Sequence, residues 1–314
     1  MKLVCLLLCM ILCLLTACDS PPQETHPQPT VVPTIPETTQ LEPETQVPQT
    51  ETMATEPKAA VQPEPADEAF VRICDYIPSA SQELFYATEN NFTGKQIYEF
   101  EDAYLRYGTV KKLMEVSEEL ADQGLFLKIW DGFRPTAAQF KLWEICPDST
   151  YVANPEKGFS SHSRGNTVDL TLVDESGQEI TMPTGFDDFS AKADRDYSDC
   201  TEAEATNAIL LQETMEKHGF SGYFGEWWHF SDTVRYPVEE TFQPVTPAVW
   251  YADCNEFISM RTEPDTSAEV ITRINVGEQF LVTAFYGDFA LAEYEGLSGY
   301  VLRSYAQPVA AKEG

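Results

Sequence analysis

An α+β domain followed by a small all-β barrel is the fold class this sequence predicts. Three observations lead there. Apolar residues recur at helical spacing over 104–123 and a capping box opens a further helix at Thr201, with strand-length apolar runs between them. After Pro247 the apolar runs become short and turn residues separate them closely, the pattern of a small barrel. Ahead of both lies a stretch with almost no aromatic or branched apolar content, which cannot bury enough surface to fold.

Residues 1–18 read as a targeting segment. Lys2 is a minimal positive start, and Leu3 to Leu15 is an apolar run too short to span a membrane and right for a signal peptide. The run ends in Leu15-Thr16-Ala17-Cys18, which resembles a bacterial lipobox. That resemblance implies lipidation of Cys18 and an extracytoplasmic protein anchored to the bacterial cell membrane. With an ordinary cleaved signal the protein would still leave the cytoplasm. Residues 19–66 are crowded with Pro, Thr, Gln and Glu and read as a disordered linker. Extended as polyproline, it would reach on the order of 100 Å from a membrane. His26 within it reads as solvated.

The formal charge of −31 argues against nucleic acid and polyanionic substrates and favours small or zwitterionic ones. Cys74, Cys146, Cys200 and Cys254 lie in the folded part with no Cys-x-x-Cys spacing, so a cysteine metal site is not expected. Their disulfide pairing stays open.

Along residues 67–245, Val71 to Pro78 reads as a strand running into a turn. Val110, Leu113, Met114 and Leu120 give a helix within 104–123, stopped by Gly124. Leu125 to Trp130 reads as a buried strand. Asp131-Gly-Phe-Arg-Pro135 reads as a turn, and Pro135 opens a helix through Trp143. Val168 to Val173 reads as a strand that puts Asp169 on one face and Val168, Leu170 and Leu172 on the other. Thr201-Glu-Ala-Glu204 is a capping box for a helix to His218, stopped by Gly219. His218 reads as a helix-terminal cation. Residues 246–310 form the second unit, with strand-like runs around Ile258, Val270–Ile274, Phe280–Thr283, Leu291–Tyr294 and Tyr300–Leu302.

Two short segments carry the chemistry. Ser160-Ser-His-Ser-Arg-Gly-Asn-Thr-Val-Asp169 offers His162 and Asp169, and Glu226-Trp-Trp-His229 offers Glu226 and His229. Two histidines and a carboxylate make a three-ligand zinc site with an open fourth position. Glu226 is left over as a general base. On a helix Glu226 and His229 would share a face. On a strand they would need a twist or bulge, and the sequence leaves this choice open. Gly165 allows a tight turn between His162 and Asp169. Trp227 and Trp228 suit a core equally well.

Taken together, these segments resemble the Ser-x-His-x-x-Gly-x-x-x-Asp and Glu-x-x-His motifs of zinc D,D-peptidases, a group sharing its fold with the hedgehog signalling domain. The match is nearest to D-alanyl-D-alanine dipeptidases of the VanX type. Tyr86-Ala-Thr-Glu-Asn-Asn-Phe-Thr-Gly94, Lys128-Ile-Trp-Asp-Gly-Phe-Arg-Pro135 and Val168-Asp-Leu-Thr-Leu172 agree with it. The resemblance implies an antiparallel sheet with flanking helices. It implies one Zn2+ on His162, Asp169 and His229, with Glu226 as catalytic base. Arg134 would stabilise the oxyanion, or else pair structurally with Asp131. Ser160 would contact the substrate carboxylate and Asp187 the substrate ammonium. The implied substrate is D-Ala-D-Ala or a peptidoglycan stem peptide. The rivals are a D,D-carboxypeptidase or endopeptidase on stem peptides and a non-catalytic wall-binding lipoprotein. The C-terminal unit resembles a bacterial SH3 domain through Ile258-Ser-Met-Arg-Thr-Glu-Pro264, Ile274-Asn-Val-Gly-Glu278 and Gly299-Tyr-Val301. That resemblance implies peptidoglycan binding or a packing role.

Overall fold

The computed structural model describes residues 62–310. The expected targeting segment with Cys18, and the expected linker up to residue 61, lie outside the described residues. Among the described residues no helix is long and apolar enough to cross a membrane.

Strand β1 (Phe70–Arg72) leads into a single helical turn, α1 (Ile73–Tyr76). The strand running into a turn expected over Val71 to Pro78 is present, and the turn is helical: the Ile77 N–H donates back to the Ile73 carbonyl at 2.9 Å, and Ile73 is fully buried. Short β2 (Ser81–Gln82) and β3 (Tyr104–Arg106) follow. Pairing of β3 with β1, Val71 opposite Leu105, draws residues 104–106 out of the expected helix. Helix α2 therefore spans Tyr107–Ala121. Its buried stripe is Val110, Leu113, Val116 and Leu120; Met114 is only partly buried, because Val116 occupies the inner face.

The expected strand becomes β4 (Phe126–Asp131), and Pro135 caps α3 (Thr136–Ile145). Then come β5 (Thr167–Val173), α4 (Glu202–Lys217), β6 (Phe220–Tyr223) and β7 (Glu226–Asp232). Helix α4 starts with both bonds of its capping box in place. These strands form a sheet of order β2-β4-β5-β7-β6. It is antiparallel except for the β2–β4 pair. Val168, Leu170 and Leu172 enter the core with the fully buried Trp130, Trp227 and Trp228. His218 pairs with Glu115 and Glu119 at 3.1 and 2.6 Å, so it stays with surface carboxylates. Cys74, Cys146 and Cys200 here, and Cys254 in the second unit, are free thiols.

The second unit is one antiparallel sheet. It consists of β8 (Phe242–Ala252), β9 (Phe257–Arg261), β10 (Val270–Asn275), β11 (Gln279–Tyr286), β12 (Phe289–Tyr294), β13 (Leu297–Leu302) and β14 (Ala306–Pro308), in the order β10-β9-β13-β12-β11-β8-β14. Strand β8 runs unbroken through residues 245 and 246. Pro244 and Pro247 speak against a strand in sequence. They are tolerated because β14 pairs with β8 only at Trp250–Ala252, leaving the proline-bearing stretch with an open edge.

A third core joins the two units. Phe70, Tyr104 and Phe133 meet Phe242, Phe289, Leu291 and Tyr300. Phe70 and Phe242 stack with ring centroids 4.2 Å apart and planes 4° from parallel. Glu239 accepts from Arg106 at 3.3 Å and from Tyr286 at 2.9 Å. Phe242→Ala should therefore cost about 3–5 kcal/mol and lower the melting temperature of the whole folded part in one transition. Denaturant unfolding followed by near-UV circular dichroism checks this. A C-terminal unit that melts alone, leaving the rest at its parent stability, would contradict it.

Candidate active site

His162 sits in a 3₁₀ turn, Ser161–Arg164, entered through Ser160, whose hydroxyl accepts the His162 N–H at 3.4 Å. The turn closes at Gly165, with φ of 73°. A Cβ there would also run into the Phe70 ring, so glycine is required twice over. The chain then enters β5, where Asp169 lies directly opposite His229 of β7. Register alone thus brings Asp169 and His229 together.

Glu226 needs a further device, because alternation on a regular strand would send it to the other face. Strand β7 supplies it as a bulge. Gly222 of β6 pairs with Phe230, yet the next residue, Tyr223, pairs with Glu226. Trp227, Trp228 and His229 fall between those two pairs, and both tryptophans are buried. Glu226 and His229 emerge on one side, with Glu226 Oε2 3.5 Å from His229 Nδ1.

Three side chains converge. His162 Nε2 lies 3.2 Å from Asp169 Oδ2, His229 Nδ1 lies 3.0 Å from Asp169 Oδ1, and the two nitrogens are 3.3 Å apart. The other His162 nitrogen, Nδ1, donates to the Gly132 carbonyl at 2.8 Å, which leaves Nε2 with its lone pair toward the group. Asp169 Oδ1 is buried without a hydrogen-bond partner, since the nearby histidine is poorly aligned. A buried carboxylate oxygen in that condition, between two imidazoles, fits a divalent cation. His162, Asp169 and His229 can each offer one atom to a metal, all within 4.8 Å of one another. Burial works against charge on both Asp169 and His162, but their mutual attraction wins, lowering the Asp169 pKa and raising that of His162. Burial chiefly, with Asp169 adding, raises the Glu226 pKa against the pull of His229.

Arg134 is nearly buried. Its guanidinium donates to Asp131 at 2.7 Å, Gln139 at 3.1 Å and the Tyr98 hydroxyl at 3.3 Å, and lies 5.1 Å from the Tyr86 ring centroid. The pairing with Asp131, the alternative role for Arg134, is therefore present. The Arg134 backbone N–H donates to the His162 carbonyl at 3.3 Å, which ties Arg134 to this site. Asp187 accepts from the Tyr86 hydroxyl at 2.7 Å and holds a left-handed backbone with φ of 54°. Burial raises its pKa to about 7; Tyr86 and Arg134 oppose this, while Asp169 and Glu226 add to it. Two clefts of about 520 and 590 Å³ at the junction of the units contain none of these residues.

A family model described as D-ala-D-ala dipeptidase matches residues 67–246. The chain belongs to that family. A second model, for the bacterial SH3 domain, matches residues 256–307. The D-alanyl-D-alanine dipeptidase of Escherichia coli is 37% identical over 163 residues, covering 51% of this chain and 84% of the relative. That of Enterococcus faecalis is 31% identical over 196 residues, covering 56% and 96%. A solved VanY D,D-pentapeptidase in complex with Zn(II) aligns at TM-score 0.28 and 15% identity, over 42% of this chain and 74% of that one. The expected metallopeptidase of the dipeptidase family, with a C-terminal SH3 domain, is borne out.

Sequence reasoning passed over several residues of this dipeptidase site. Tyr98 and Gln139 orient Arg134, and Tyr86 holds Asp187. Ser161 Oγ, rather than Ser160, comes within 3.4 Å of His229 Nε2. Tyr86 lies in a segment that carries the resemblance, which was its available signal. Tyr98 and Gln139 had none.

Proposed function

We propose that the chain is a zinc-dependent D-alanyl-D-alanine dipeptidase of the cell surface, with His162, Asp169 and His229 holding the metal. The observation that carries this reading is the convergence of those three side chains beside Glu226. Zinc, when bound, would polarise the scissile carbonyl and acidify water beside it. Glu226, with a raised pKa and a position next to His229, is suited to take a proton from the attacking water and deliver it to the leaving amine. Arg134, fixed by three acceptors, would hold its charge against the developing oxyanion. Ser160 would receive the substrate carboxylate.

Asp187 would take the substrate ammonium, which favours a free dipeptide over a longer stem. An ammonium binds the ionised carboxylate, so KM should fall as pH rises through about 7. Asp187→Asn should raise KM by roughly 10- to 100-fold and erase that limb. It should also stabilise the fold. A carboxyl whose pKa is raised on folding costs stability above its unfolded value, reaching a plateau above about 7. A melting temperature unchanged at pH 8, with KM at the parent value, would remove Asp187 from this role.

Anchoring through Cys18 rests on the lipobox-like Leu15-Thr16-Ala17-Cys18. Fatty-acid labelling should be lost in Cys18→Ala; persistent labelling would sink it. Peptidoglycan binding by the SH3 domain predicts co-sedimentation of the full chain with purified walls. The function itself is tested by amine release from D-Ala-D-Ala against D-Ala release from a stem pentapeptide. Activity confined to the dipeptide is expected. Preference for the pentapeptide would make the protein a D,D-carboxypeptidase.

A further inference from the structure

Arg195 lies outside the motifs that hold His162, Asp169, Glu226 and His229, yet its guanidinium lies across the bulge of β7. Its Nε donates to the Tyr223 carbonyl at 2.9 Å. Its Nη2 donates to the Trp227 carbonyl at 3.0 Å and the His229 carbonyl at 2.9 Å. Nη1 is held by Gln212 of α4 at 3.1 Å, and the cation sits 4.4 Å from the centroid of the buried Phe230 ring.

A bulge removes ladder partners from the residues inside it, and buried carbonyls left without partners are costly. Trp227 has no partner on β6, and Arg195 supplies one. The planar fork of arginine can serve several carbonyls at once, which a lysine ammonium on a flexible stem cannot do in fixed geometry. Gly222 fits the same arrangement. A Cβ at that position would lie 2.6 Å from Arg195 Nη2 and 2.7 Å from Nε, so only glycine lets the guanidinium lie over β6.

We infer that Arg195 is a positioning residue: it clamps the β7 bulge through the Tyr223, Trp227 and His229 carbonyls and so holds Glu226 and His229 on one face. Its catalytic consequence rests on the dipeptidase reading above. Its structural consequence does not, so two readouts are needed.

The first is amide hydrogen exchange of the zinc-free full chain. Arg195→Ala and Gly222→Ala should each speed exchange across residues 226–229 at least tenfold, while α2 and β4 keep their parent protection. The second is steady-state kinetics on D-Ala-D-Ala with zinc. Both variants should lose about 100-fold in kcat, as expected for a misplaced base, with KM changed only a few-fold. Guanidinium ion should restore part of the kcat of Arg195→Ala, and Arg195→Lys should stay low. Parent-like exchange at 226–229 in both variants would overturn the clamp. So would loss of protection throughout the molecule in Arg195→Ala with parent-like exchange in Gly222→Ala. An inactive parent enzyme would sink the dipeptidase reading alone, because the exchange result stands without substrate.

Discussion

Glu226→Ala should abolish nearly all hydrolysis while His162, Asp169 and His229 keep their places. General-base catalysis contributes about 10²- to 10⁴-fold, so the loss should fall in kcat by at least that lower figure. Glu226 is not one of the three convergent side chains. It reaches the site only through the bulge that turns it toward His229. Metal content should therefore stay at the parent level, measured by elemental analysis on the same sample as the kinetics. Retained activity would remove Glu226 as the base. Loss of metal together with activity would make it a ligand instead.

Arg134→Ala should carry the second largest effect, about 10²- to 10³-fold in kcat, the size found for removing one oxyanion donor. A structural cost comes with it, since Asp131 is fully buried and would lose its cation. Tyr98 also bonds Asp131, at 2.8 Å, so the pocket should not collapse altogether. Arg134→Lys separates the two roles. An ammonium can keep the pair with Asp131 but cannot also reach Gln139 and Tyr98 in the same geometry. Parent-like stability with a kcat still reduced about 100-fold is the expected outcome for Lys. Full activity in Arg134→Lys would leave only the structural pairing.

Much of the site was legible because residue type and strand register did the placing. Asp169 and His229 face each other across β5 and β7, and His162 enters from the turn closed at Gly165. The choice between helix and strand for Glu226–His229 was not legible. The bulge that settles it depends on the pairing of β6, and a strand does not announce where its partner skips residues. Arg195 was illegible for a related reason: it acts on backbone carbonyls from a stretch without periodicity, where an arginine looks like any surface cation. Strand β8 was hidden by Pro244 and Pro247, which only the open edge explains. Residues 104–106 carry helix-compatible side chains, and only pairing with β1 makes them a strand.

The SH3 domain packs on the peptidase domain beneath Phe133, the residue before Arg134. Gly132, one residue earlier again, accepts the bond that orients His162. The turn from Asp131 to Pro135 thus faces the active site on one side and the SH3 domain on the other. Fold and site are continuous there.

The most direct test follows zinc and D-Ala-D-Ala hydrolysis together on one preparation of the full chain. One zinc per chain is expected, with D-alanine release lost when a chelator strips it and recovered on adding back stoichiometric zinc. Hydrolysis that persists in fully stripped protein, or zinc bound at His162, Asp169 and His229 with no dipeptide hydrolysed, would contradict the zinc-dipeptidase reading.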